Sequence, residues 1–172
     1  MLGFDLEHLI AAGPPEELAD TYNQQPAVLA ASVAILRAAS SVLPQPAVVA
    51  GHSLGEYGAL VAAGSLEYAD ALRLVRERGR LMKLAGERRP GGMAAVIGLA
   101  DEVVEEVCAE LEGVQIANYN SPGQVVISGA ASAVDLATSR LQGLGAKRIV
   151  RLPITIAAHS ELMGSVAEEF RT

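Results

Sequence analysis

The stretch from Met93 to Leu152 restricts the fold more than any other part of this chain. Short apolar runs alternate there with longer amphipathic ones. Met93 to Leu99 reads as a strand, and Asp101 to Glu112 as a helix with an acidic residue near its start, where the helix dipole favours one. Val114 to Ala117 reads as a second strand and Asn118-Tyr-Asn-Ser-Pro-Gly123 as a turn. Gln124 to Ser128, Ala131 to Leu144 and Lys147 to Leu152 follow as strand, helix and strand. The order β-α-β-β-α-β is that of a ferredoxin-like lobe, assigned here to residues 88–152. Its boundary is the loop Arg88-Arg89-Pro90-Gly91-Gly92, after a change of composition at Gly86.

The residues before this lobe follow a different pattern. Gly13-Pro14-Pro15-Glu16-Glu17-Leu18 is a turn entering a helix. Pro26 opens a second helix, to Arg37, whose Val28, Leu29, Ala31 and Ile35 leave little polar face and predict burial. Ala47-Val48-Val49-Ala50, between Pro46 and Gly51, reads as a short buried strand. A helix starts directly after it, through Glu56, Leu60 and Ala63, and Gly64 stops it. Leu66 to Lys83 reads as a long amphipathic helix. A single strand cannot satisfy its own backbone groups, so this region looks incomplete as a sheet.

The totals narrow the function classes. A length of 172 residues is room for one ordinary domain or two small lobes. With 51% hydrophobic and 19% charged residues the composition is globular, and 3% aromatics suits helices packed on a sheet better than an all-β fold. The net charge of −7 disfavours a nucleic-acid partner, and an acidic protein partner would need a local basic patch. Cys108 is the only cysteine, so it forms no internal disulfide and reads as a small buried helix residue. No apolar run approaches the ~18 residues of a membrane span. The N-terminus lacks the features of a signal peptide. No membrane partner and a cytoplasmic location are the expectations.

Gly51-His52-Ser53-Leu54-Gly55 carries the chemistry. A bare G-x-S-x-G is a weak pattern, but this one follows a short apolar run and opens a helix, as a nucleophile elbow does. Glycines on both flanks suit a turn too tight for side chains, and the turn exposes the serine hydroxyl. The Leu54 amide, at the helix start, can point at an oxyanion. The plainer alternative is a glycine-rich turn capped by serine. A serine nucleophile needs a base, and the chain has His8, His52 and His159. His52 is expected to pack under the elbow, and His8 to lie on the surface. His159 follows Pro153-Ile-Thr-Ile-Ala-Ala158 and opens a new helix, so it could face the elbow. Arg78 sits among Arg73, Arg76 and Arg80, where a solvated arginine is the plainer reading. No metal site is expected. With the elbow included, the fold class is α/β. It comprises an incomplete hydrolase-like parallel α/β lobe, residues 1–87 and 153–172, with an inserted ferredoxin-like (β-α-β-β-α-β) small lobe.

Several runs together resemble the malonyl-CoA:acyl-carrier-protein transacylases. They are Gly51-His-Ser-Leu-Gly-Glu-Tyr57, Arg78-Gly-Arg-Leu-Met82, Gly92-Met-Ala-Ala-Val-Ile-Gly98, Asn118-Tyr-Asn-Ser-Pro-Gly-Gln-Val-Val-Ile127 and His159-Ser-Glu-Leu-Met163. They occur in family order, and the resemblance runs from about Leu2 to the end. It implies malonyl transfer from malonyl-CoA to the phosphopantetheine thiol of an acyl carrier protein, in fatty-acid or polyketide synthesis. Ser53 would be the nucleophile, His159 the base, the Leu54 amide half of the oxyanion hole and Arg78 the partner of the malonyl carboxylate. No permanently bound cofactor is implied. Leu54 matches malonyl-type members, whereas Ala158 departs from the bulky residue often found there, leaving methylmalonyl open. Because carrier proteins of this pathway are acidic, Lys147, Arg148 and Arg151 are the docking candidates, with a solvated strand end as the alternative. The resemblance also implies a partial chain, without the N-terminal strand ending in Gly-Gln-Gly and without a C-terminal region. Taken alone, the 172 residues are then expected to fold poorly or lack activity. A serine hydrolase of the α/β type and a truncated non-catalytic carrier-binding domain remain the rival readings.

Overall fold

A computed structural model gives the fold and describes residues 2–171. These residues form two compact units that meet in sequence between Arg80 and Leu81.

The first unit is helical. Asp5 caps helix α1 (Leu6–Ala12) by accepting from the His8 amide, and Pro15 opens α2 (Pro15–Ala19) at its first position. Asp20 caps α3 (Thr21–Ala39) by accepting from the Tyr22 amide. That cap starts the helix at Thr21 rather than at Pro26, so the proline lies inside it and leaves one helical hydrogen bond unmade. The buried stripe of α3 is Gln25, Pro26, Ala27, Leu29 and Val33. Val28, Ala31 and Ile35 face outward, so the helix is buried along one side and not all round. Helix α4 (Gly55–Ala62) and the first turns of α5 (Tyr68–Arg88) complete the unit. Its core is Leu29, Val33, Ala71, Leu72 and Val75, with Leu54, Tyr57 and Val61 packed against it.

The strand expected at Ala47–Ala50 is not formed. Residues 47–50 run as irregular chain, and Val48 is 83% exposed. An apolar run becomes a strand only where neighbours pair its amides and carbonyls, and the described residues of this unit provide none.

The second unit holds a four-stranded antiparallel sheet, with β1 (Gly91–Ile97), β2 (Val114–Ser121), β3 (Gln124–Ala130) and β4 (Arg148–Arg151) in the order β2-β3-β1-β4. Helices α6 (Asp101–Ala109) and α7 (Ala131–Gly143) pack on one face. Alternate strand residues reach them: Ala94 and Val96 from β1, and Val125 and Ile127 from β3, meet Val104, Val107, Val134, Ala137 and Leu141. Cys108 is buried in this core, as expected. Two boundaries shift. Strand β2 continues to Ser121, which pairs with Gln124, so the turn expected over 118–123 shortens to Pro122-Gly123. Helix α5 continues through Arg88, and Gly91 and Gly92 belong to β1. Past β4, a turn of 3₁₀ helix (Glu161–Met163) leads into α8 (Gly164–Arg171), whose Val166 packs on Leu81 and Ala85. The chain is therefore an α/β protein with a small antiparallel sheet.

Candidate active site

The turn before α4 is built by hydrogen bonds from the Gly55 amide to the His52 carbonyl (2.8 Å) and from the Glu56 amide to the Ser53 carbonyl (3.2 Å). Ser53 takes a left-handed backbone, φ +53°. A side chain at Gly51 is impossible in this turn, because its Cβ would lie 2.0 Å from the Gly55 carbonyl oxygen. Gly55 differs: a Cβ there meets nothing within 4 Å. Of the two flanking glycines, only the first is required by close approach. Leu54 sits at the helix start with helical angles, φ −58° and ψ −34°. His52 is exposed, contrary to the expected packing beneath the elbow. His8 is exposed on α1, as expected.

Left-handed backbone at non-glycine residues is uncommon and gathers at functional positions. Among the described residues it occurs twice, at Ser53 and at His159 (φ +60°). The segment carrying His159 is held against the sheet of its own unit. The Gly91 amide donates to the Thr155 carbonyl (3.0 Å), and the Glu161 amide to Gln115 Oε1 (3.0 Å). Ser160 donates to the Ala157 carbonyl (2.7 Å) and caps the 3₁₀ turn by accepting from the Leu162 amide (3.3 Å). His159 therefore stands at a loop-to-helix junction, as expected, and is exposed there. Ser53, Leu54 and Arg78 belong to the first unit and His159 to the second.

The four arginines of α5 separate by environment. Arg73 pairs with Asp70 and Arg80 with Glu77, each three residues back on the exposed face. Arg76 stacks between the rings of Phe4 and Tyr22, at 4.1 and 3.8 Å from their centroids. Arg78 turns inward: its Nη2 donates to Ser53 Oγ (3.0 Å) and its Nη1 to Gln25 Oε1 (2.6 Å). Burial pulls the Arg78 guanidinium below its ordinary pKa, and Tyr57 and Glu56 nearby counter that. Burial likewise raises the Tyr57 phenol, with the Arg78 charge opposing it. The arrangement places a guanidinium beside a half-buried hydroxyl on a left-handed turn, a geometry that can hold an acyl group carrying a free carboxylate. Sequence reading does not single out Gln25, because one glutamine before a proline forms no pattern.

The basic residues around β4 are spread along an edge strand. Lys147 and Arg148 are exposed, and Arg151 pairs with Asp135 (2.8 Å). Among the described residues no three histidines, cysteines or carboxylates gather as a metal site, and no helix is long and apolar enough to cross a membrane.

Comparison with known proteins places the chain in a family. The malonyl CoA-acyl carrier protein transacylase of Haemophilus influenzae is 48% identical over 173 residues, covering 98% of this chain and 55% of the relative. An acyl carrier protein S-malonyltransferase structure from Vibrio cholerae superposes with a TM-score of 0.92 at 47% identity, covering 98% of this chain and 56% of that one. A malonyl-transacylase in complex with its type II PKS acyl-carrier protein gives 0.93 at 44% identity, with the same coverage. The chain thus spans about half the length of these relatives. Residues 1–172 match the acyl transferase domain throughout, and the chain belongs to that family.

Proposed function

We propose that the protein containing this chain is an acyl-carrier-protein S-malonyltransferase. The observation that carries the reading is the Arg78 guanidinium, 3.0 Å from Ser53 Oγ. In a malonyl-serine ester the free carboxylate lies one methylene beyond the ester carbonyl, within reach of a cation beside Oγ. The named relatives support the same substrate pair.

In the first step Ser53 Oγ attacks the thioester carbonyl of malonyl-CoA, and His159 takes the hydroxyl proton. The Leu54 amide stabilises the oxyanion. The carbon–sulfur bond breaks, and coenzyme A leaves as the thiol with the proton from His159. In the second step the carrier's phosphopantetheine thiol gives its proton to His159 and attacks the malonyl-serine ester. Ser53 recovers its proton as the malonyl thioester departs. No resident cofactor enters either step.

The finer architecture belongs to this reading. We assign 88–152 to a ferredoxin-like lobe, supported by the strand order β2-β3-β1-β4, antiparallel throughout. We assign 1–87 and 153–172 to a hydrolase-like lobe, supported by the elbow at Ser53 and by the packing of Val166 on Leu81 and Ala85. The cytoplasm is the proposed location, where coenzyme A thioesters are available.

The test uses the natural protein with whatever flanking sequence it carries. After mixing with malonyl-CoA, its intact mass should rise by one malonyl group, and peptide mapping should place that mass on Ser53. Label retained in Ser53→Ala overturns the reading.

A further inference from the structure

Gln25 lies outside every motif that points to the chemistry, yet it is 4% exposed on a stripe otherwise made of Pro26, Ala27, Leu29 and Val33. A buried amide is unfavourable unless its polar atoms are paired. Both of its ends are used. Arginine carries only donors, so the amide oxygen must face Arg78, and Oε1 accepts from Nη1 at 2.6 Å. The amide nitrogen then donates to Thr21 Oγ1 (3.0 Å), on the first turn of α3, which Asp20 caps.

The helix crossing sets this reach. A Cβ at Gly79 would lie 2.6 Å from the Thr21 carbonyl oxygen and 3.0 Å from Tyr22 Cα. The backbones of α3 and α5 therefore touch beside Arg78, close enough for one glutamine to bridge them. With Nη1 tied to Gln25, Nη2 is directed at Ser53. Each terminal nitrogen carries two hydrogens, so one on each remains for a carboxylate. A neutral amide also adds no negative charge against the arginine beyond that of nearby Glu56 and Tyr57, whereas a carboxylate at this position would.

We propose that Gln25 is a positioning residue: it fixes the Arg78 guanidinium beside Ser53 while keeping its charge available to the acyl carboxylate. This rests on the reading of Arg78 as the carboxylate's partner.

The test is steady-state kinetics with malonyl-CoA and acetyl-CoA for the natural protein and its Gln25→Leu, Arg78→Ala and double variants, with a crystal structure of Gln25→Leu. Gln25→Leu should lower kcat/KM for malonyl-CoA by about 10- to 100-fold, the effect of one hydrogen bond to a charged group. For acetyl-CoA the change should stay under about twofold, because acetyl has no carboxylate for the arginine. The double variant should be no worse than Arg78→Ala alone. If Gln25→Leu does not fold, the near-isosteric Gln25→Glu serves: it should fold, hold the guanidinium and still lose malonyl selectivity by neutralising it. Equal losses on both substrates, or additive losses in the double variant, overturn the proposal. If Arg78→Ala leaves the malonyl-to-acetyl ratio unchanged, the carboxylate reading fails by itself. The guanidinium's place in the Gln25→Leu structure then decides: displacement from Ser53 supports positioning, and an unmoved guanidinium overturns it.

Discussion

Arg78 Nη2 donates to Ser53 Oγ across 3.0 Å, although one residue lies on α5 and the other on the turn before α4. The guanidinium is half-buried, and burial pulls its pKa down. An arginine still keeps its proton in such a place, so the site holds a cation short of solvent. A substrate carboxylate relieves that cost, and an acetyl group does not. Arg78→Ala should therefore lower kcat/KM for malonyl-CoA by about 10²-fold or more, from the loss of paired charged hydrogen bonds. Acetyl transfer should fall far less or rise. The ratio of the two specificity constants is the measurement, and an unchanged ratio means that the carboxylate is held elsewhere. Arg78→Lys should recover only part of the loss, since a lysine lacks the planar fork.

The two motif glycines should behave differently. At Gly51 an added Cβ would meet backbone at 2.0 Å, and backbone cannot yield as the tip of a side chain can. Gly51→Ala should destabilise by ~3 kcal/mol or more, or prevent folding. Gly55→Ala meets open space at the first turn of α4, where alanine is the better helix former, and should change stability by less than ~1 kcal/mol. Denaturant midpoints of the two variants separate these outcomes. Equal effects would mean that the turn closes differently from the geometry described.

His159 is the expected base, and His52 and His8 are not. His159→Ala should slow acylation of Ser53 by about 10²–10⁴-fold, the usual share of a general base. His52→Ala and His8→Ala should leave the rate within a few-fold, since the family resemblance assigns the base to His159 and neither of the other two has its left-handed place at a loop-to-helix junction. Single-turnover mass spectrometry reads the rate directly. A larger loss in His52→Ala than in His159→Ala, with both variants folded, would exchange their roles.

Much of the second unit was legible in the sequence, because the switch from period-two to helical spacing marks each element whatever its neighbours do. The errors lie where hydrogen-bond pairing decides, which hydropathy does not register. Ala47–Ala50 has a strand's composition but no partner among the described residues, so composition misled there. Pro26 looked like a helix start because the capping bond from Tyr22 to Asp20 is invisible to hydropathy. Strand β2 outlasts its apolar part because Ser121 pairs with Gln124 across the turn. At the site, Ser53 announces itself through local turn chemistry. Arg78 does not differ from Arg76 or Arg80 by any local signal, and only the family resemblance raised it. Gln25 stays silent because its meaning is a bond to a residue 53 positions away.

Cys108 supplies a pH signature of the second unit's core. Burial pushes its thiol from the ordinary 9.0 up to about 11. A folded pKa above the unfolded one means that the folded state favours the protonated form. The stability linked to this group is therefore complete below the unfolded value and is lost as pH rises through the folded one. The natural protein should lose stability between about pH 9 and 11 more steeply than Cys108→Ala does. Taking the difference between the two removes the titration of tyrosines and lysines. Parallel curves would show that the thiolate is accommodated without cost.

Carrier docking at the β4 edge is open to a charge test. The chain's net charge of −7 repels an acidic partner at long range, so productive encounter needs a local positive patch. Lys147 and Arg148 are exposed at the start of the edge strand β4. Arg151 is a weaker contributor, because Asp135 pairs with it at 2.8 Å and offsets its charge. Lys147→Glu/Arg148→Glu should weaken carrier binding by about 10-fold or more at low salt, mainly through a slower association rate. The difference should shrink as added salt shortens the Debye length to about 10 Å or less. Arg151→Ala should have a smaller effect than Arg148→Ala, since the ion pair with Asp135 already engages the Arg151 guanidinium and leaves it less available to a partner. Acylation of Ser53 by malonyl-CoA should stay unchanged in the charge-reversal variant, which separates lost docking from lost folding. Carrier affinity that responds neither to salt nor to the double reversal would leave these residues as an ordinary solvated strand end and move the docking surface elsewhere.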